Sequence, residues 1–317
     1  MANDKDDVDI HRPGVIPKLI NAVTRPFRKH EHPLSESEPQ PVLCDDSDEY
    51  CFTHSKRGKA LIFNNEYFKM YSSRPGSSQD ARNLSTVLHR LGFEVECLHN
   101  QNKKEMKGVL KKVSKEDHSH EDCILIAVLS HGDQVEMEGK IKSVIEKHDV
   151  VYATNGILQT REVVHLFSDD CCPSLIGKPR IFLIQACRGT TLDIGVEVSL
   201  RDEADAAVSP PVITPTPLYK DFLIMYATPP GYYAFRRPDT GSWFIKAFCD
   251  VFSGPDVSST EIQKLLTRVI RKVSFEYESQ SKTKELAGKK QTSCCSHMLV
   301  KDIYFKVKLD KALESKE

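Results

Sequence analysis

The chain has 317 residues, 44 Lys+Arg against 45 Asp+Glu and a formal net charge of −1, so no global field favours nucleic acid or an anionic membrane. No apolar run approaches the ~18 residues that read as a membrane span, and the acidic start MANDKDDVDI is not a secretory signal. Ten cysteines, four of them in the doublets Cys171-Cys172 and Cys294-Cys295, show no metal-ligand spacing and point to a reducing, cytoplasmic setting.

The first fifty residues read as a flexible tail. Residues 11–30 hold five Lys/Arg and no acid, whereas residues 31–50 hold seven acids and no Lys/Arg. The pattern then changes. Lys59–Phe63 predicts a buried strand, and Ala81, Leu84, Val87, Leu88 and Leu91 predict a helix stopped by Gly92. Phe93–Cys97 alternates as a strand, and Met106, Val109, Leu110 and Val113 mark a basic amphipathic helix. Cys123–Leu129 is a second apolar strand, running into Ser130-His131-Gly132. The charged stretch 134–150 reads as an exposed insertion containing a surface helix, and Val163, Val164 and Phe167 fit another helix.

Arg180–Ile184 is a third apolar strand, running into Gln185-Ala186-Cys187-Arg188-Gly189. Residues 188–221 hold acids and four prolines and predict a long exposed connection. Phe222–Tyr226 predicts a strand and Trp243–Phe252 an apolar helix. Ser258-x-x-Glu261 reads as a capping box before a helix striped with Ile262, Leu265, Leu266, Val269, Ile270 and Val273. Met298–Phe305 supplies a last strand. Strands alternating with helices predict an α/β fold with a mostly parallel sheet, whose sites gather at the carboxyl ends of strands.

Two such ends carry a histidine and a cysteine. A thiol attacks a peptide carbonyl as thiolate, which a neighbouring imidazole promotes, and the same imidazole can protonate the leaving amine. The oxyanion formed on attack needs hydrogen-bond donors, often backbone N–H groups at glycine or at the nucleophile. A lone histidine at a strand end is ordinarily structural, and a lone cysteine after a strand is ordinarily inert. The motifs decide between these readings.

Gln185-Ala186-Cys187-Arg188-Gly189 matches the nucleophile motif of the caspase family. Ser130-His131-Gly132 resembles that family's histidine motif. Gly231-Tyr232-Tyr233 and Gly241-Ser242-Trp243-Phe244 resemble its substrate-loop region. The resemblance runs from about Ala60 to Phe305. It implies a three-layer sandwich around a six-stranded sheet, with Cys187 as nucleophile and His131 as acid–base partner. Gly132 and Cys187 N–H groups would form the oxyanion hole. Arg74, Gln185 and Arg236 would hold a substrate aspartate, with Ser130, Tyr233, Phe235, Arg237 and Trp243 lining the remaining cleft. Two guanidinium groups and an amide suit aspartate, whereas glutamate is a methylene too long.

The resemblance also implies a zymogen: a prosegment (1–46), a large subunit (47–205) and a small subunit (206–317). Cuts would fall after Asp205 or Asp193 in the linker and after Asp46 or Asp48 in the tail. With no recruitment domain before it, the chain resembles the effector members that act in apoptosis. Such enzymes are homodimers of large/small pairs, cut by an upstream initiator and restrained by protein inhibitors; no cofactor is implied. Three departures stand out. The interval from His131 to Cys187 is long, Phe235 replaces a common Trp, and Arg237, Gln280 and Lys282 alter the site for the fourth residue before the cut. The extra positive charge there is expected to favour acidic residues. Two rival readings are a related peptidase that cuts after Arg or Lys, which would need an acidic pocket, and a silent decoy, which would ordinarily lack the Cys or the His.

Overall fold

Strands that are apolar throughout need cover on both faces, and two helical layers supply it. The computed structural model describes residues 7–8, 47–138, 145–194, 219–281 and 284–308. In chain order they form β1 (Asp7–Val8), β2 (Lys59–Asn64), α1 (Ser77–Arg90), β3 (Glu94–His99), α2 (Lys103–Val113) and β4 (Ile124–Leu129). Then come β5 (Gly132–Glu138), β6 (Ile145–Ala153), β7 (Gly156–Gln159), α3 (Thr160–His165), β8 (Arg180–Gln185) and β9 (Phe222–Tyr226). The last are β10 (Phe235–Arg237), β11 (Gly241–Ser242), α4 (Trp243–Phe252), α5 (Ile262–Glu276) and β12 (Cys294–His297).

The central sheet has six strands in the order β12-β9-β8-β4-β2-β3, parallel except for β12 at one edge. Alternate side chains leave its two faces. Ile62, Leu125, Ala127, Leu183 and Met225 pack with Leu84 and Leu88 of α1, Phe244 and Phe248 of α4, and Leu265 and Val269 of α5. Phe63, Ile126, Val128, Phe182 and Ile184 pack on the opposite side with Met106 and Leu110 of α2 and Val163 beside Phe167. The result is the expected three-layer α/β sandwich.

Four expectations change. The described parts of the stretch 134–150 hold strands rather than a helix. β5 and β6 pair antiparallel from Gly132↔Val151 to Glu138↔Ile145, and β7 completes a second sheet. Residues 145–153 are alternately exposed and half-buried before burying Val150–Ala153, a two-residue period that their charges conceal. The last sheet strand is Cys294–His297, while Ile303 and Phe305 are core residues in irregular chain. Ser258 does not cap α5; Glu261 does, accepting from Gln263 and Lys264 N–H. Finally, the tail is not featureless, because Asp7–Val8 pairs antiparallel with β10.

Candidate active site

β4 and β8 are parallel neighbours that end in register, Leu129 opposite Gln185. The Ser130 N–H then donates to Gln185 O at 3.0 Å. Two residues beyond each strand end stand His131 and Cys187, each only 2 % exposed. Sheet registry thus brings the two motifs to one place.

Backbone contacts hold them. The His131 ring lies 4.7 Å from the Phe68 ring, and its Nε2 is 2.8 Å from Ser72 O. A carbonyl only accepts, so Nε2 carries a proton and Nδ1 is the nitrogen left for proton exchange. Tyr152 N–H donates to His131 O at 2.9 Å. Ala234 N–H points at Cys187 Sγ from 3.4 Å, a contact that favours the thiolate.

Each glycine of these motifs answers to crowding. A Cβ on Gly132 would lie 2.7 Å from Cys187 O and 2.8 Å from Val150 O. Gly189 has φ +145°, and a Cβ there would lie 2.4 Å from Gly231 O. Arg188 is a brace: its guanidinium pairs with Asp149 at 2.5 Å and covers the Tyr226 ring at 3.9 Å.

Arg74 and Arg236 are buried, at 0 % and 1 % exposure. Arg74 donates to Asn65 O at 3.3 Å and Arg236 to Pro75 O at 2.9 Å. Gln185 is also fully buried, and its amide makes no hydrogen bond among the described residues. A buried amide left so is costly unless a ligand satisfies it. Tyr233 is half-buried, and burial raises its phenol pKa. Arg237 is half-buried and reaches Glu278 O at 3.3 Å.

Two expected cleft residues sit elsewhere. Ser130 is fully buried and its hydroxyl donates to Tyr152 O at 2.5 Å, so it fastens β6 beside His131. Trp243 is 1 % exposed and stacked between Phe235 at 4.7 Å and Tyr277 at 5.4 Å. It therefore backs the cleft as core. Asp193 is held by its backbone, its carbonyl accepting Lys290 N–H at 2.9 Å. Asp46, Asp205 and Lys282 lie outside the described residues. Around the end of α3, His165, Asp170 and Cys171 bring potential ligand atoms within 4.8 Å of one another, a grouping that sequence spacing does not announce.

The Caspase domain family model matches residues 57–304. The chain belongs to the caspase family. It is 36 % identical to cattle (Bos taurus) Caspase-3 over 81 % of this chain and 88 % of that one. It is 32 % identical to chicken (Gallus gallus) Caspase-7 over 95 % and 94 %. The crystal structure of Caspase-1 from Spodoptera frugiperda superposes with a TM-score of 0.72, at 33 % identity, over 86 % of this chain and 98 % of that one. The protein is an effector-like caspase and a cysteine-type endopeptidase.

Sequence reading missed one charged member of this caspase site. Asp80 lies on the apolar stripe of α1, an acid where the pattern calls for a core residue, and that misfit was the available signal. It is 1 % exposed, and its carboxylate accepts Ser242 N–H at 2.9 and 3.0 Å. Burial pushes its pKa up to about 7, against the opposing pull of Ser242, Arg74 and Arg236. A raised folded-state pKa means that stability is greatest below about 4, falls as pH rises, and levels off above about 7. Asp80→Asn should remove that slope of roughly 1.4 kcal/mol per pH unit at its steepest. The melting-temperature difference between variant and wild type should widen in the variant's favour from pH 5 to pH 7. A pH-independent difference would show that Asp80 does not titrate in this window. Ser72 was missed for another reason: it acts through its carbonyl, which any residue type could supply.

Proposed function

We propose that this caspase cleaves proteins after aspartate through Cys187 and His131. The Cys187 thiolate attacks the carbonyl carbon, and the oxyanion is received by the Gly132 and Cys187 N–H groups. His131 delivers its proton to the leaving amine, and water, deprotonated by His131, then hydrolyses the thioester. The observation that carries the aspartate reading is the buried trio of Arg74, Arg236 and the unsatisfied Gln185 amide. Two buried guanidinium groups favour a second carboxylate beside Asp80, and they reject the acidic pocket that a Lys- or Arg-specific peptidase would need.

The proposal extends to an effector zymogen of apoptosis, acting in the cytoplasm and cut by an initiator within residues 188–221. Asp205 is the preferred linker site, because the Asp193 backbone is already engaged by Lys290 N–H and is less available to pair with a protease. Large (47–205) and small (206–317) subunits would then form a homodimer across β12, the antiparallel edge strand. Among the described residues no helix is long and apolar enough to cross a membrane.

Peptides identical but for Asp, Glu or Lys before the reporter test the reading on linker-cut protein. Asp should exceed Glu by about 100-fold or more in kcat/KM, with Lys inert. Cleavage after Lys, or turnover of none of the three, would overturn it.

A further inference from the structure

Where α3 ends, the chain makes tight turns before it runs to β8. Ser168 N–H donates to His165 O at 3.1 Å, and the Cys171 and Cys172 N–H groups donate to Ser168 O at 3.0 and 2.8 Å. Phe167, Ser168 and Cys172 are fully buried and pin these turns from below. His165, Asp170 and Cys171 stand at the surface, the acid exposed and the other two half-buried. Lys115 Nζ, just after α2, donates to Cys171 O at 3.0 Å. Asp169 pairs with Arg180, the first residue of β8. The turn is thus held by α2, α3 and β8 together.

We propose that His165, Asp170 and Cys171 bind a Zn²⁺ ion, with water completing a tetrahedral shell. Their donor atoms lie within 4.8 Å of one another, and His165 Nε2 is 4.0 Å from Cys171 Sγ. Zn–S and Zn–N bonds of about 2.3 and 2.0 Å at a tetrahedral angle set those two donors about 3.5 Å apart. Closing the pair takes a movement of about 0.5 Å, which half-exposed side chains on a fixed turn can make. A thiolate, an imidazole and a carboxylate suit Zn²⁺, whereas Ca²⁺ and Mg²⁺ take oxygen throughout. The thiolate and the carboxylate also match the charge of the ion. The Cys171 thiol proton leaves to solvent on binding.

A metal-bound histidine ordinarily has its other ring nitrogen held by a neighbour. Ser168 Oγ lies 3.4 Å from His165 Nδ1 and hydrogen-bonds Asp170 Oδ1, so one buried hydroxyl stands behind two of the three donors. Cys172 is turned inward, its Sγ 3.9 Å from Ser174 Oγ, and is not a fourth donor. The site lies by the first residue of β8, whereas Cys187 follows the last, and six residues of strand span about 20 Å. Zn²⁺ here leaves the cleft open. It acts on stability, because it binds the native turn in preference to the unfolded chain.

The test uses the full chain carrying Cys187→Ala, in which the catalytic thiol cannot compete for metal, and adds Cys171→Ser, His165→Ala or Cys172→Ala to it. Co²⁺ titration reads the thiolate-to-metal absorption band, Zn²⁺ competes with it, and thermal melts with and without Zn²⁺ read the effect on stability. The parent should bind one Co²⁺ with that band, Zn²⁺ should displace it, and Zn²⁺ should raise the melting temperature. Cys171→Ser should abolish the band. Both Cys171→Ser and His165→Ala should weaken Zn²⁺ binding by about 10-fold or more and lose the rise in melting temperature. Cys172→Ala should keep the band. A band that survives Cys171→Ser, or Zn²⁺ binding unchanged in His165→Ala, overturns the proposal. So does a parent that takes up no Co²⁺, or a folded Cys172→Ala that loses the band. If Cys172→Ala shows no metal-free melting transition, the two surface variants decide by themselves.

Discussion

Cys187→Ala should lower peptide turnover by about 10⁴-fold or more while leaving the melting temperature nearly unchanged. The side chain is small and sits after β8, so its loss removes one sulfur and the contact from Ala234 N–H, with no change in the sheet. Three other described cysteines, Cys123, Cys249 and Cys295, are poor substitutes. Burial pushes Cys249 up to about 12 and Cys295 up to about 11, so both stay protonated at neutral pH. Cys123 is raised further by burial, although Arg57 pulls it down. None of these three follows a strand end that is in register with His131. The measurement is kcat on an Asp-ending peptide after linker cutting, with a thermal melt beside it. Residual turnover within about 10-fold of wild type would point to a different nucleophile.

Arg236→Ala should reduce kcat/KM for Asp-ending peptides by about 10²–10³-fold, because removing one partner of a buried ionic pair costs about 3–5 kcal/mol. Preference for Asp over Asn at the same position should shrink in step, since the lost interaction is with the carboxylate charge. The substitution also removes the bond from Arg236 to Pro75 O. The Pro75–Gly76 turn has a second anchorage: a Cβ on Gly76 would lie 2.6 Å from Arg237 O, so the turn packs directly on the chain after β10. Arg236→Lys keeps the charge but loses the fork, and should recover only part of the activity. A variant with unchanged Asp/Asn preference and a normal melt would place the aspartate pocket elsewhere.

Strands β2, β4, β8 and β9 were legible because burial on both faces leaves an unbroken apolar run, such as Ile124–Leu129. Their order was not, since every apolar run satisfies any neighbour equally well. The hairpin of β5 and β6 was hidden because its outer part is half-exposed, and charges carry the two-residue period there as readily as apolar groups. β12 was misplaced because Cys294–His297 has no branched or aromatic residue, and its pairing comes from the open edge of β9. At the site, side chains with dedicated chemistry could be named from motifs: Cys187, His131, Arg74, Gln185 and Arg236. Contributions made through backbone atoms, such as Ser72 O and Ala234 N–H, leave no mark on residue identity. Trp243 and Ser130 show the converse, as residues inside recognised motifs whose burial gives them packing work.

The ladder between the Arg188 segment and the Gly231 segment bears on what a nick would do. Arg188 N–H donates to Tyr232 O at 3.0 Å, Gly231 N–H to Arg188 O at 2.6 Å, Thr191 N–H to Gly231 O at 2.8 Å and Tyr233 N–H to Thr191 O at 3.0 Å. β8 and β9 add a parallel pairing from Arg180↔Phe222 to Ile184↔Tyr226. All of these bonds join residues before 195 to residues after 218, so none depends on the intervening peptide. Hydrolysis anywhere in that interval would leave one hydrodynamic particle with two new chain ends. The halves would separate on a denaturing gel and co-elute on a sizing column, and the freed ends would gain a reach that an unbroken loop does not have.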